Sequence, residues 1–172
     1  MENSFGNTDI PSGVRGVYVL ILHVNEDFEK RIGRLGKIRF RKGVYFYVGS
    51  AMGPGGLRGR IRRHYRRNKK IHWHIDYLTT SEKVAILGTI YIYDCRNDGD
   101  LEKTVSHAFA EKLHYIEGFG NSDKRKDKSH LFYCGENRID CINLAKKMLE
   151  FIAGVSECRL GEAGASSFSG QR

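Results

Sequence analysis

The chain has 172 residues, 40% of them hydrophobic, and a formal net charge of +9 from 29 Lys and Arg against 20 Asp and Glu. That length and apolar content allow one domain with its own core, without need of metal or disulfide staples. No run approaches the roughly 18 apolar residues of a membrane-spanning helix and no basic-then-apolar export signal opens the sequence, so a cytoplasmic protein is expected.

Residues 1–13 are polar around Pro11 and are expected to form a loose leader. A single domain then spans 14–153. Gly16 to Leu22 is β-branched and aromatic with apolar residues facing both ways, as in a central strand. Asn25 to Lys30 turn the chain, and Arg31 to Phe40 add a short basic strand. Gly43 to Gly49 is the clearest strand. Glycines 53, 55 and 56 break it and open a helix over about 56–68, in which Leu57, Ile61, His64 and Tyr65 share one stripe with Arg60 at its edge. His72 to Leu78 is a compact aromatic segment, a candidate helical turn. Val84 to Tyr93 is a third core strand, and a helix spans about Asp100 to Ile116. A polar loop, Gly118 to Lys128, leads to a short strand, His130 to Cys134. A last amphipathic helix carries Ile139, Ile142, Ala145, Leu149 and Ile152, and residues 154–172 are expected to be a disordered tail. Cys95, Cys134, Cys141 and Cys158 form no C-x-x-C pair and no zinc spacing, and most are expected to be buried or idle thiols.

The positive charge is clustered. Residues 58–70 hold eight Lys or Arg and no acid, and residues 30–42 hold seven and no acid. Any one run is compatible with a solvated surface, but two in a small domain favour a polyanion, through phosphate neutralisation and counterion release. Arg58, Arg62, Arg63, Arg66, Arg67, Lys69 and Lys70, with Arg39, Arg41 and Lys42, are the candidate nucleic-acid contacts. The run Lys124-Arg125-Lys126-Asp127-Lys128 is a third.

The glycine turn does not match a nucleotide loop. Gly49 and Gly53 lack the following Lys-Ser/Thr of a Walker A motif, and Arg58 stands where a dinucleotide fingerprint needs another residue. His72-x-His74-x-Asp76 resembles the H-x-H-x-D signature of metallo-β-lactamase-like hydrolases, and a zinc hydrolase built on these residues is a minor alternative. The set Tyr18, Tyr47, Arg60, His64 and Glu102 is more complete. Phosphodiester cleavage needs a base for water, positive charge on the phosphorane and help for the leaving oxygen, commonly from a divalent ion on a carboxylate. Glu102 falls inside the apolar stripe of its helix, where an unpaired carboxylate costs several kcal/mol, so a metal ion or an arginine is expected beside it.

The order of these residues resembles the GIY-YIG nuclease superfamily. Gly16-Val17-Tyr18 resembles its first tripeptide and Tyr47-Val48-Gly49 its second; Arg60 and Arg63-His64 follow on the first helix and Glu102 on a later one. The stretches Tyr47 to Gly56, Trp73 to Leu78, Gly118-Phe119-Gly120, Ser122-Asp123 and Ser129 to Tyr133 are similar to a small prokaryotic and archaeal branch, some of whose members are fused to an endonuclease III repair glycosylase. The resemblance implies an α/β sandwich around a small, mainly antiparallel three-stranded sheet flanked by helices. It implies DNA hydrolysis with one Mg²⁺ or Mn²⁺ held by Glu102, in DNA repair, with a possible repair-protein partner. Tyr18 is then the general base or the residue that positions the water, Tyr47 its support, Arg60 the phosphate ligand and His64 a proton-transfer aid, with His74 and His130 as secondary candidates. The rival reading is a nucleic-acid-binding module of the same fold that does not turn over.

Overall fold

A computed structural model describes residues 10–96, 99–121 and 127–164. The chain runs β1 (Gly16–Val24), β2 (Phe28–Ile32), a 3-10 turn (Gly33–Leu35), β3 (Gly36–Phe40), β4 (Gly43–Ala51), α1 (Gly56–Tyr65), α2 (Asp76–Thr79), β5 (Val84–Tyr93), α3 (Leu101–Lys112), β6 (His114–Tyr115), β7 (Leu131–Gly135), α4 (Arg138–Val155) and β8 (Arg159–Ala163). The fold is mixed α+β with four helices among the described residues, built on an antiparallel sheet in the order β6-β7-β4-β1-β5-β8. β2 and β3 form a separate hairpin.

β1 lies inside the sheet, hydrogen-bonded to β4 on one side and β5 on the other. Its even residues Tyr18, Leu20 and Leu22 face a core shared with Leu57 and Ile61 of α1, Leu78 of α2 and Phe28, Ile32 and Phe40 of the hairpin. Its odd residues Val17, Val19 and Ile21 face a second core with Val105 and Phe109 of α3 and Ala145, Leu149 and Ile152 of α4. A strand covered on both faces needs apolar residues at every position, which is why Val17 to Leu22 reads as a continuous run. Each large side chain buried this way stabilises the fold by roughly 1.5–3 kcal/mol.

Several expectations are corrected. The sheet has six strands rather than three: β4, β1 and β5 are its middle, and β7, β6 and β8 extend it. β8 lies in the stretch expected to fray, where it pairs with β5 from Thr89↔Ala163 to Tyr93↔Arg159. Its alternation is weak, with only Ala163 buried, so local sequence hides a strand that pairing to β5 creates. Ile10, expected in the leader, is 2% exposed and belongs to the α1-side core; residues 1–9 and 165–172 lie outside the described residues. The single basic strand expected over 31–40 is the second half of the β2–β3 hairpin. α1 ends at Tyr65 and α3 at Lys112, where His114 and Tyr115 leave the helix to pair with β7. The cysteines are not idle thiols: Cys95 pairs with Cys158 and Cys134 with Cys141. The first bridge ties the chain beyond β5 to the chain entering β8, and the second ties β7 to α4. Among the described residues no helix is long and apolar enough to cross a membrane.

The two bridges close loops of different size, with sequence separations of 63 and 7 residues. Replacing Cys95 and Cys158 by Ala is expected to lower the unfolding free energy by about 4 kcal/mol, and replacing Cys134 and Cys141 by about 2, since the longer loop restricts the unfolded chain more. Urea unfolding with and without reductant checks this. Reductant should shift the wild-type midpoint and leave the fourfold variant where it is.

Candidate functional site

The site is built where β1 and β4 face α1. Tyr18 on β1 sits opposite Gly49 on β4. A Cβ on Gly49 would lie 2.4 Å from the Tyr18 ring, so the tyrosine can cross β4 toward the helix only because position 49 has no side chain. Helix α1 is set by a second glycine. Gly56 adopts φ +56°, and a Cβ there would strike the Val14 carbonyl at 2.4 Å; Leu57 N–H then donates to that carbonyl at 2.8 Å. Two turns on, the imidazole of His64 meets the Tyr18 hydroxyl, with Oη 2.7 Å from Nε2.

His64 is fully buried, and its imidazole is held down at about 3, by burial first and then by Lys69, Arg63 and Arg60, with Asp76 opposing them. The ring is neutral at physiological pH. Its Nδ1 is buried without a hydrogen-bond partner. Burial first, then the neighbouring Tyr47, raises the Tyr18 phenol well above its ordinary value, against the pull of Arg60. Tyr47 is raised as well, by burial and by Glu102. Both tyrosines are therefore neutral phenols.

Tyr18, Tyr47, Arg60, Glu102, His74 and His130 line one cleft of about 270 Å³. His64 is not among the lining residues; it stands behind Tyr18, bonded to that hydroxyl and packed against the rings of Tyr47 and Trp73. Arg60 lies over the Trp73 ring, its Cζ 4.3 Å from the centroid, and makes no hydrogen bond or ion pair among the described residues. Glu102 enters from the first turn of α3, 14% exposed, with Oε1 3.3 Å from His130 Nδ1. His130 is buried, its Nδ1 3.2 Å from the Val48 carbonyl and its Nε2 3.5 Å from Asp127 Oδ2. His74 Nδ1 accepts from Gly120 N–H at 3.0 Å.

Other sequence candidates have structural duties. Asp76 is fully buried and accepts from Arg63 at 2.7 and 2.9 Å and from the backbone N–H groups of His72 and Trp73 at 2.8 and 2.9 Å. Burial pushes its carboxyl up, but Arg63 and the two amides outweigh it and hold the group at about 2. With both oxygens engaged, Asp76 does not complete a His72/His74/Asp76 zinc site, and among the described residues no cluster of three His, Cys, Asp or Glu side chains is arranged for a metal. Arg63, expected on nucleic acid, is the partner of Asp76. Lys69 donates to the Arg63 and His64 carbonyls at 3.1 and 3.0 Å and so caps α1. Burial lowers its ammonium to about 8. Arg67 donates to the Ser81 and Val84 carbonyls, and Arg39 pairs with Asp27 at 3.1 Å. Arg41, Lys42, Arg62, Arg66 and Lys70 are exposed, and Arg58 is half-buried.

Two residues outside the candidate set read from the sequence also belong to this neighbourhood: Trp73 lines the cleft and Asp127 lies behind His130. Trp73 is the chain's one tryptophan, flanked by His72 and His74. Asp127 reads as one residue of a charged run, but it is 6% exposed and sits behind His130. Residues 124–126 of that run lie outside the described residues.

A family model described as "Domain of unknown function DUF123" matches residues 17–151, a span that contains every cleft residue named above. No curated protein and no solved structure matches the chain.

His64 gives the site a pH signature. Its folded value lies below its ordinary 6.5, so its contribution to stability is complete above that value and is lost as pH falls toward about 3. Between neutrality and about pH 5 the expected loss from this group is about 2 kcal/mol. His64→Leu should flatten that part of the curve, read by urea unfolding at the two pH values; an unchanged slope would show that His64 is not held neutral.

Proposed function

The chain belongs to the DUF123 family, and we propose that it is a metal-dependent endonuclease of the GIY-YIG type that hydrolyses phosphodiester bonds of DNA and serves DNA repair. One observation carries the reading: Tyr18, Tyr47, Arg60 and Glu102, separate in sequence, line the same cleft, with His64 bonded to Tyr18 from behind.

The Tyr18 hydroxyl donates to His64 Nε2, which leaves its oxygen lone pairs directed at a water in the cleft. As the water oxygen bonds to phosphorus, its proton passes to Tyr18 and the tyrosine proton to His64; the P–O ester bond breaks and the departing oxygen is protonated by solvent. Burial keeps His64 free of a proton beforehand, and a phosphate at Arg60 adds negative charge that raises its affinity for one when it is needed. Arg60, stacked on Trp73 and with no ion pair among the described residues, neutralises the non-bridging oxygens. Tyr47 closes the cleft wall beside Tyr18.

The donor set suits a hard divalent cation. Glu102 presents a carboxylate to the cleft, and Mg²⁺ or Mn²⁺ typically takes one or two carboxylates and completes its shell with substrate phosphate oxygens and water. Such an ion would be held by Glu102 and would supply Lewis-acid stabilisation of the charge that builds on phosphate and leaving oxygen. His130, 3.3 Å from Glu102 and backed by Asp127, orients that carboxylate. Exposed Arg62, Arg66 and Lys70 supply non-specific attraction to the backbone.

The test is cleavage of single-stranded, duplex, flap and junction DNA with Mg²⁺ or Mn²⁺. Wild type should nick at least one substrate, and Glu102→Ala, Tyr18→Phe and Arg60→Ala should each lower the rate by about 10²-fold or more. Glu102→Ala and Tyr18→Phe should keep DNA affinity. Tight, salt-sensitive binding with no cutting of any substrate in either metal would instead identify a binding module.

A further inference from the structure

A second cavity, of about 420 Å³, adjoins the first and shares Ser50 and Glu102 with it. It lies where β4 runs out into the glycine turn, and its size falls within the range of small-ligand pockets. Met52, Tyr93 and Leu101 supply apolar lining. Met52 is 57% exposed, an unusual place for a large apolar side chain on a short turn. Tyr93 packs against Tyr91 with ring centroids 5.7 Å apart.

The charges differ from those of the first cavity. There the exposed-facing charge is Arg60; here Asp94 and Asp100 join Glu102 on the wall, against Arg15. Asp94 is paired with Arg159 at 3.3 Å, and Asp100 caps α3 by accepting from Lys103 N–H at 3.3 Å. Carboxylates repel a phosphate but accept hydrogen bonds from the N–H groups of a base edge. An aromatic ring and a flexible thioether offer a surface on which a planar base stacks.

We propose that this second cavity is a nucleobase pocket, which takes the base of one unpaired nucleotide next to the phosphate held at Arg60. The inference rests on the nuclease reading for the identity of the first cleft and narrows its substrate class. A base inside a duplex cannot enter a pocket, so DNA with an unpaired or extrahelical nucleotide at the scissile position is preferred over continuous duplex.

The test uses two DNA duplexes that differ at one site, a bulged 2-aminopurine nucleotide in one and a bulged abasic nucleotide in the other, titrated without divalent metal. Wild type should bind the base-bearing probe roughly tenfold more tightly, with a change in 2-aminopurine fluorescence. Tyr93→Leu should abolish that preference and keep the affinity for the abasic probe. Met52→Ala, which removes exposed atoms and leaves the core intact, should reduce the preference by about threefold. Equal wild-type affinity for the two probes, or a preference that survives both substitutions, overturns the pocket. Cleavage of the same probes in Mg²⁺ is read separately: cutting without base preference removes the pocket alone, and base preference without cutting removes the nuclease reading alone.

Discussion

The hydrogen bond from β1 to α1, between Tyr18 and His64, ties together the two elements that frame the cleft. A strand apolar on both faces does not fix its own register, because a slip of one residue exchanges one apolar set for another. The pairing of Tyr18 with Gly49 removes that ambiguity. Only a glycine admits the ring, and only from that position does the hydroxyl meet the helix. The Val14 carbonyl caps the start of α1, and Lys69 caps its end. The helix is therefore held at both ends and in its middle, and Arg60 and His64, one turn apart, are delivered to opposite sides of the Tyr18 hydroxyl's surroundings: one in the cleft, one behind it.

Asp76 provides the electrostatic counterpart. It is a buried carboxylate that engages Arg63 and two amides, and it lies 3.7 Å from Lys69. Removing one partner of such a group leaves a buried charge and typically costs 3–5 kcal/mol. Arg63 and Arg60 both lie over Trp73, at 4.1 and 4.3 Å. The first is neutralised by Asp76, and the second has no carboxylate partner among the described residues. Two arginines three residues apart thus have unlike roles, one structural and one facing the cleft, and the difference comes from which of them reaches the carboxylate.

Much of the fold was legible. The strands at β1, β4 and β5 and the helices α1, α3 and α4 follow from period and from glycine punctuation. β8 and β6 were not legible, since neither carries a strong alternation and both exist through their partners β5 and β7. The disulfides were hidden for a related reason: cysteines 63 residues apart become neighbours only when the chain beyond β5 and the start of β8 are brought together. In the site, Tyr18, Tyr47, Arg60 and Glu102 could be named from residue type and spacing, and they share a cleft. That His64 stands behind Tyr18, that Asp76 is engaged by Arg63, and that Asp127 backs His130 depend on contacts between residues distant in sequence or on burial that charge patterns do not reveal.

By itself, then, the sequence determined the chemical inventory: a two-faced apolar strand, a second strand ending in a glycine-rich turn, a basic helix with arginine and histidine one turn apart, and a carboxylate on the apolar side of a later helix. These are local properties, carried by residue type and by the 2.0 and 3.6 residue periods. Only the tertiary structure decided which cations are free and which are engaged, which histidine is kept unprotonated, and that two cavities meet at Ser50 and Glu102. The physical reason is that charge state and availability depend on burial and on partners, and both arise from packing between segments that no window of the sequence contains.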